Sequence, residues 1–315
     1  MAERKSKDIY IRQNEDDMLN LLKAQRLVYS SAKWHIIFLF LCFVFLPLSI
    51  NIIIPYLPQN SNILMPLLSS AILVLFVLGH FFRSRLKEKK VLATYIQQKF
   101  DTYVFDMQEV YQKYIKFKTH LKENIRNAVR KYENVEEANL ENWYSDYSNL
   151  PYEHAVFYCQ KENFNWSLKL SNKYRYVLKM FFMLVILIII INAIINLSSV
   201  NHLILILTTL LPLFSHFYDS YQKITKDIQS LRDIVREIEQ TEMKLDSLNN
   251  EKLNEITKEL QEKIFLHRQK AYLIPNPFYR FLRNHFQITE DDSAKDINSQ
   301  HKPKKKQYQK IGKKI

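Results

Sequence analysis

Two stretches of the chain, Trp34 to Phe82 and Met180 to Tyr218, contain no Lys, Arg, Asp or Glu, while the regions around them mix apolar and charged positions at helical spacing. A membrane span takes about 20 apolar residues. Each stretch is long enough for two spans and carries a polar break near its middle: Pro58-Gln59-Asn60-Ser61-Asn62 in the first and Ser198-Ser199-Val200-Asn201 in the second. The breaks leave spans at 34–57, 63–82, 180–197 and 202–218. As helices these measure about 36, 30, 27 and 26 Å at a rise of about 1.5 Å per residue. Two buried core helices per stretch would be the soluble alternative, but a helix without charge on any face points to lipid. Lys23, Arg26 and Lys33 precede the first span, and Arg83, Arg85, Lys87, Lys89 and Lys90 follow the second. Lys169, Lys173, Arg175 and Lys179 precede the third, and Lys223, Lys226 and Arg232 follow the fourth. Both hairpin turns are uncharged. The positive-inside rule therefore places the N-terminus, the central segment and the C-terminus in the cytoplasm. The charged first 33 residues and the length of the first apolar run argue against a cleaved signal peptide.

The remaining periodicity is helical. Asn14 before Glu15, Asp16 and Asp17 predicts a helix N-cap with an acidic first turn. Met18, Leu21, Leu22, Gln25, Val28 and Tyr29 then share a face that leads into the first span. Val91, Tyr95, Phe100 and Val104, then Val110, Tyr114 and Phe117, continue the pattern after the second span. The run from Asn142 to Tyr147 and Pro151 marks a break, after which a helix carries Tyr158-Cys159-Gln160 through Trp166 to the membrane. Ile224, Ile228, Leu231, Val235 and Ile238 step by four and three, and Leu245 to Ile264 continue with drift. This predicts one long helix over 224–264, packed either in a coiled coil or against a helix of the same chain. Pro275 and Pro277 stop it.

The expected fold is an all-α integral membrane protein, with two transmembrane helical hairpins and a cytoplasmic helical or coiled-coil module. Its segments are an N-terminal amphipathic helix (1–33), hairpin one (34–82), a cytoplasmic helical segment (83–176), hairpin two (177–218), a long helix with a C-terminal motif (219–288) and a basic disordered tail (289–315). The lysines of the tail could meet anionic headgroups at about 1 kcal/mol each, or stay solvated.

Composition narrows the chemistry. The chain has two glycines, where usage of about 7 % would give many more, so phosphate loops and nucleophile elbows built on glycine are excluded. Two distant cysteines, Cys42 and Cys159, make neither a disulfide framework nor a four-cysteine metal site. No metal site, cofactor or catalytic constellation is expected, and the chain does not read as an enzyme. The net charge of +13 lies largely in the flanks and the tail.

Three blocks of residues carry a resemblance. The first is Arg12-Gln13-Asn14 followed by Ala24 to Lys33. The second is Asn142-Trp143-Tyr144, Leu150-Pro151 and Cys159 to Asn163, with Trp166. The third is Leu260-Gln261, Ile264-Phe265, His267-Arg268, Pro275 to Tyr279 and Leu282-Arg283. With the two hairpins, these blocks resemble the SMODS-associating four-transmembrane effector family of bacterial antiphage systems, over most of the chain up to about residue 288. Lys161, Asn165 and Pro277 depart from the pattern, and the lysine-rich tail lies outside it. The resemblance implies an effector of the bacterial inner membrane, partnered with a cyclic-oligonucleotide synthase (CBASS). Its messenger would switch the protein to assemble as a homo-oligomer, breach the bilayer and abort infection. DNA and RNA are not expected as partners. A scaffold that recruits a soluble protein through its coiled coil is the alternative.

A cyclic oligonucleotide ligand needs cations for its phosphates and flat faces for its bases. The second block offers Trp143, Tyr144, Tyr147, Gln160, Asn163 and Trp166; the third offers His267, Arg268, Tyr279, Arg280 and Arg283. Packing within the cytoplasmic bundle is the competing role for each. His80 and His216 occupy matching places near the cytoplasmic ends of spans two and four, as gate residues or as parts of an aromatic belt. Asn51, Asn192, Asn196, Thr208 and Thr209 join helices or line a pore.

Overall fold

The computed structural model describes residues 5–53, 64–137, 140–195 and 200–300, and among these it contains helices, turns and no strand. The helices are α1 (Ser6–Arg12), α2 (Asp16–Phe40), α3 (Leu46–Ile53), α4 (Leu64–Val104), α5 (Gln108–Ile115), α6 (Thr119–Tyr132), α7 (Tyr152–Ile195), α8 (Val200–Glu242), α9 (Asn250–Lys270) and α10 (Asn276–Gln300). Both hairpin turns expected from sequence lie largely outside the described residues, as does the tail from His301.

Each apolar stretch is the far end of a helix that begins or ends in the charged body. α2 leads through a π-helical turn at Leu41–Phe45 into α3, and α4, α7 and α8 run unbroken from apolar into charged sequence. Pro47 accounts for the π turn: it has no N–H to offer the carbonyl four residues back, and its ring crowds that carbonyl. The wider turn is closed by Leu46 N–H donating to the Leu41 carbonyl. Two helical segments among the described residues, Asp16–Ile53 and Tyr152–Ile195, are long and apolar enough to cross a membrane.

The main core lies in the charged half. Leu22, Ala24, Tyr95, Ile96, Phe100, Phe105, Phe157 and Phe265 are essentially without exposure there. α2 packs along α4, and α7 packs along α8 and α9. Smaller clusters continue into the apolar half: Val44, Leu178, Val185, Leu210, Leu213 and Phe217 in one, and Leu39, Cys42 and Phe43 in another.

Several expectations are corrected. The long helix over 224–264 is two helices. α8 ends at Glu242, Leu245–Ser247 forms a 3-10 turn, and α9 starts after Asn249, whose side chain accepts from Lys252 N–H at 2.8 Å. α9 folds back so that His267 meets Asp227 and Lys263 meets Glu237. The stripe Ile224, Ile228, Leu231, Val235 and Ile238 is buried inside the chain, the intramolecular packing rather than a seam for a partner. Asn14 does not cap α2. Glu15 holds the N-cap position, and Asn14 pairs instead with Asn142, donating from Nδ2 to Oδ1 (3.0 Å) and accepting Asn142 N–H (2.9 Å). Residues 289–300 of the expected disordered tail are helical. Glu290 and Ala294 are buried, and Lys169 donates to Glu290 at 2.6 Å.

Candidate functional site

α2, α7, α10 and the connection between α6 and α7 surround a cavity of about 1870 Å³. Nine of the eleven residues offered for a ligand line it: Trp143, Tyr144, Asn163, Trp166, His267, Arg268, Tyr279, Arg280 and Arg283. Gln160 does not. It is fully buried, donating to the Thr257 carbonyl (2.9 Å) and to Gln261 Oε1 (3.2 Å). The second and third sequence blocks thus meet across one space, although more than a hundred positions separate Trp143 from Arg283.

The lining residues divide into two groups. The first holds the body together. Asp101, fully buried in α4, accepts from Arg268, from the Tyr144 hydroxyl at 2.7 Å and from Gln261 Nε2 at 3.2 Å. Gln13 exchanges two hydrogen bonds with the Tyr144 backbone, at 3.2 and 2.8 Å. Burial pushes the Tyr144 hydroxyl far above its ordinary value, and the Asp101 charge adds to that, so it stays a neutral donor. His267 Nε2 lies 2.9 Å from Asp227 Oδ1. Trp143 meets Phe100 edge-on at 6.4 Å. Tyr147, also offered by the second block, is buried and stacks on Tyr158 at 5.7 Å.

The second group is half-buried. Tyr279 and Trp166 lie with ring centroids 6.3 Å apart, and Trp166 meets Phe286 edge-on at 5.5 Å. Lys33 Nζ sits 5.1 Å from the centre of the Tyr279 ring. Burial, and then Arg280, bring the Lys33 ammonium down to about 8. Burial likewise lowers Arg283, with the Arg26 charge acting in the same direction and Glu137 against it. Arg26 pairs with Glu137 at 3.2 Å. On the wall beyond, burial pushes the Glu162 carboxyl up to about 8, although the Ser145 N–H that it accepts (3.3 Å) works against the shift. At neutral pH Glu162 is therefore mostly an uncharged carboxylic acid able to donate.

Sequence reading missed Arg26, Tyr29, Ser30 and Lys33 as lining residues. Their steps of three, one and three put them on one side of α2, and that spacing was the available signal. The positive-inside pattern gave Arg26 and Lys33 another explanation first.

In the apolar half, Asn192 Nδ2 donates to the Asn51 carbonyl at 3.2 Å and to its Oδ1 at 3.4 Å, joining α7 to α3. His216 stacks on Phe43 with centroids 5.9 Å apart and planes 9° from parallel. His80 lies on α4, and its side chain is outside the described residues, as are Asn196 and the side chains of Thr208 and Thr209.

No curated protein and no solved structure matches the chain. The SMODS-associating 4TM effector domain matches residues 7–297, which takes in all three sequence blocks, the cavity and both apolar stretches. The chain belongs to the SMODS-associating 4TM effector family, whose membrane effectors are linked to SMODS-type synthases of cyclic oligonucleotides.

Proposed function

We propose that this effector is switched by a cyclic oligonucleotide held in the cavity and then permeabilises the bacterial inner membrane, aborting infection. The observation that carries the reading is that two of the helices lining the cavity, α2 and α7, continue into the apolar half. α2 bears Arg26 and Lys33 immediately before the first uncharged stretch, and α7 bears Asn163 and Trp166 and runs on to Ile195. A ligand that changes how α2, α7 and α10 pack must tilt or shift the membrane helices, because no flexible link lies between. The cavity is larger than the roughly 300–1,000 Å³ of a drug-sized pocket, which suits a cyclic oligonucleotide. The role is one of binding and permeabilising, with no catalysis and no cofactor. DNA and RNA have no part in it.

The chain spans the membrane four times, with both termini in the cytoplasm. Exposed aromatics support this at the inner end of every span: Trp34, Phe81, Tyr176 and Tyr218. Such rings gather at membrane–water interfaces. In a cysteine-free background, Asn60→Cys and Ser199→Cys are expected to react with an impermeant maleimide in whole cells. Ser84→Cys, at an exposed position beyond the second span, is expected to react only after lysis. Labelling of Ser84→Cys in intact cells would overturn the topology.

Four helices close around their own side chains and leave no wide path, so the lesion takes several chains. The stripe on α8 is already used within the chain. Assembly therefore uses apolar faces left exposed, that of α7 at Met180, Met183, Leu184 and Leu187 or that of α4 at Val74, Val77, Leu78 and Phe81. The scaffold alternative has lost the same stripe as its recruiting surface.

Dye release from liposomes tests the reading. One member of a panel of cyclic di- and trinucleotides is expected to trigger release with the wild-type protein. Trp166→Ala and Arg283→Ala are each expected to raise the concentration needed by about tenfold or more, since a stacked base is worth about 1–3 kcal/mol and a charge-assisted hydrogen bond about 1.5–3 kcal/mol. Full response in both variants would remove the cavity from the mechanism.

A further inference from the structure

The cavity is not uniform in charge. Its acids are spread over α2 (Asp16, Asp17), the α6–α7 connection, α7 (Glu162), α8 (Asp227) and α10 (Asp291), whereas Lys33 lies over the Tyr279 ring beside Trp166, with the Arg280 charge acting on Lys33 and the Arg283 charge on Tyr279. Two helices supply these cations independently. Arg26 and Lys33 stand two turns apart on α2, and Arg280 and Arg283 stand one turn apart at the start of α10. Holding like charges together is unfavourable, more so for the half-buried Arg26, Lys33 and Arg283 than for the exposed Arg280. Glu137 pairs with Arg26 at 3.2 Å, and its charge also acts on Arg283. Around Lys33, the groups that act on its proton are its own burial and Arg280, both of which disfavour the charge. Such a cluster is stabilised by an anion that accepts from several of them at once.

We propose that Arg26, Lys33, Arg280 and Arg283, with Tyr279 and Trp166 as the flat walls, form a subsite for a phosphodiester anion at the membrane-proximal end of the cavity. This rests on the cavity being the ligand site and specifies which wall takes the phosphate. Guanidinium groups match phosphate oxygens two at a time, while Lys33 acts as a point charge. Two sources carry this chemistry: the phosphodiester of a cyclic oligonucleotide, and the headgroup of an anionic phospholipid. The second is within reach because Lys33 directly precedes Trp34, an exposed ring where the uncharged stretch begins.

The test uses full-length protein in nanodiscs of phosphatidylcholine, with Trp34→Phe and Trp143→Phe so that Trp166 alone reports. Inorganic pyrophosphate is the probe. Saturable change in Trp166 emission is expected, with apparent affinity falling by about tenfold or more in Lys33→Gln and again in Arg280→Gln. The groups facing Lys33 are Arg280 and Tyr279 on α10, with Tyr29 and Arg26 on its own helix and Glu137 beyond. Burial raises Tyr279 and Tyr29, so neither ionises near neutrality. Affinity is therefore expected to fall from about pH 7 to about pH 9 as Lys33 loses its proton, and to stay flat in Lys33→Gln.

Nanodiscs containing phosphatidylglycerol separate the sources. A headgroup in the subsite would abolish the pyrophosphate response in wild type, and native mass spectrometry would find that lipid retained by wild type and released by Lys33→Gln. An unchanged response assigns the subsite to the soluble phosphodiester. Equal pyrophosphate titrations in wild type, Lys33→Gln and Arg280→Gln, with no lipid retained, would overturn the proposal even if nucleotides still release dye. Conversely, a subsite that behaves as described while no cyclic nucleotide releases dye leaves the subsite standing and removes the messenger.

Discussion

Arg268→Ala is expected to destabilise the cytoplasmic body by about 3–5 kcal/mol, the cost of leaving one member of a buried ion pair alone. Asp101 has no exposure, and Arg268 is its charged partner. Without the guanidinium, the carboxylate retains the Tyr144 hydroxyl and Gln261 as donors. Two neutral donors do not replace a counter-charge beside a carboxylate that has no exposure of its own. Thermal unfolding of the purified protein, followed by resistance to trypsin, reads the loss. Arg283→Ala, half-buried in the cavity lining, is expected to change the same melting curve little. The comparison separates a residue that holds the body from one available to a ligand. A melting temperature for Arg268→Ala equal to wild type would mean that the pair is not what fixes α4 against α9. Replacing both members by apolar residues of similar size, Asp101→Leu with Arg268→Met, is expected to recover part of the loss. The remainder is chiefly the cost of the Tyr144 hydroxyl left without its acceptor, about 1–3 kcal/mol, since Gln261 Nε2 still donates to Gln98 Oε1 at 2.9 Å.

This pair also marks where the sequence stops being legible. Arg268 looked like a phosphate ligand because it is a cation of the third sequence block, beside His267. Its partner lies on another helix, more than a hundred and fifty positions earlier, inside a stretch that reads as an ordinary charged helix. Nothing local distinguishes Asp101 from a solvated acid. The same holds for Gln13 and Asn14. Asn14 looks like a helix cap, yet the two residues clamp the Asn142–Tyr144 backbone, and Asn142 takes a positive φ of 53° within that clamp. Long-range polar pairs leave no periodicity, and periodicity is what sequence reading detects.

The apolar helices were legible for the opposite reason. Absence of charge over whole stretches is a one-dimensional signal; the described part of each stretch is helical, and two segments are long and apolar enough to cross a membrane. Their continuity with the body was legible in part. The apolar face from Met18 to Tyr29 and the run through Trp166 both pointed into a span, as α2 and α7 do. The fold-back after Glu242 was missed, although Asp246-Ser247 and Asn249-Asn250 are turn-forming residues placed where the apolar steps begin to drift. The drift was the change of helix.

The second large effect is expected at Gly79. Replacing a glycine inside a helix by alanine usually stabilises by about 0.5–1 kcal/mol. Here the sign reverses, because a Cβ on Gly79 would come within 2.5 Å of Phe43 Cζ and 2.6 Å of its Cε2. The ring has little room to retreat. It is buried in the π turn before Pro47, it stacks on His216, and the Arg83 guanidinium lies 5.3 Å from its centre. Phe43, Gly79 and His216 come from three of the four apolar segments, so the ring is the piece on which α4, α8 and the π turn meet. Gly79→Ala is expected to cost about 1–3 kcal/mol by overpacking and to pry these helices apart at their inner ends. In liposomes the expected result is dye release without any nucleotide, together with a lower melting temperature. Phe43→Leu in the same protein should restore both, since the smaller side chain vacates the space that the new methyl needs. Gly79→Ala with wild-type melting and no spontaneous release would show that the helices separate elsewhere, and the contact between Phe43 and His216 would then be packing without a part in opening.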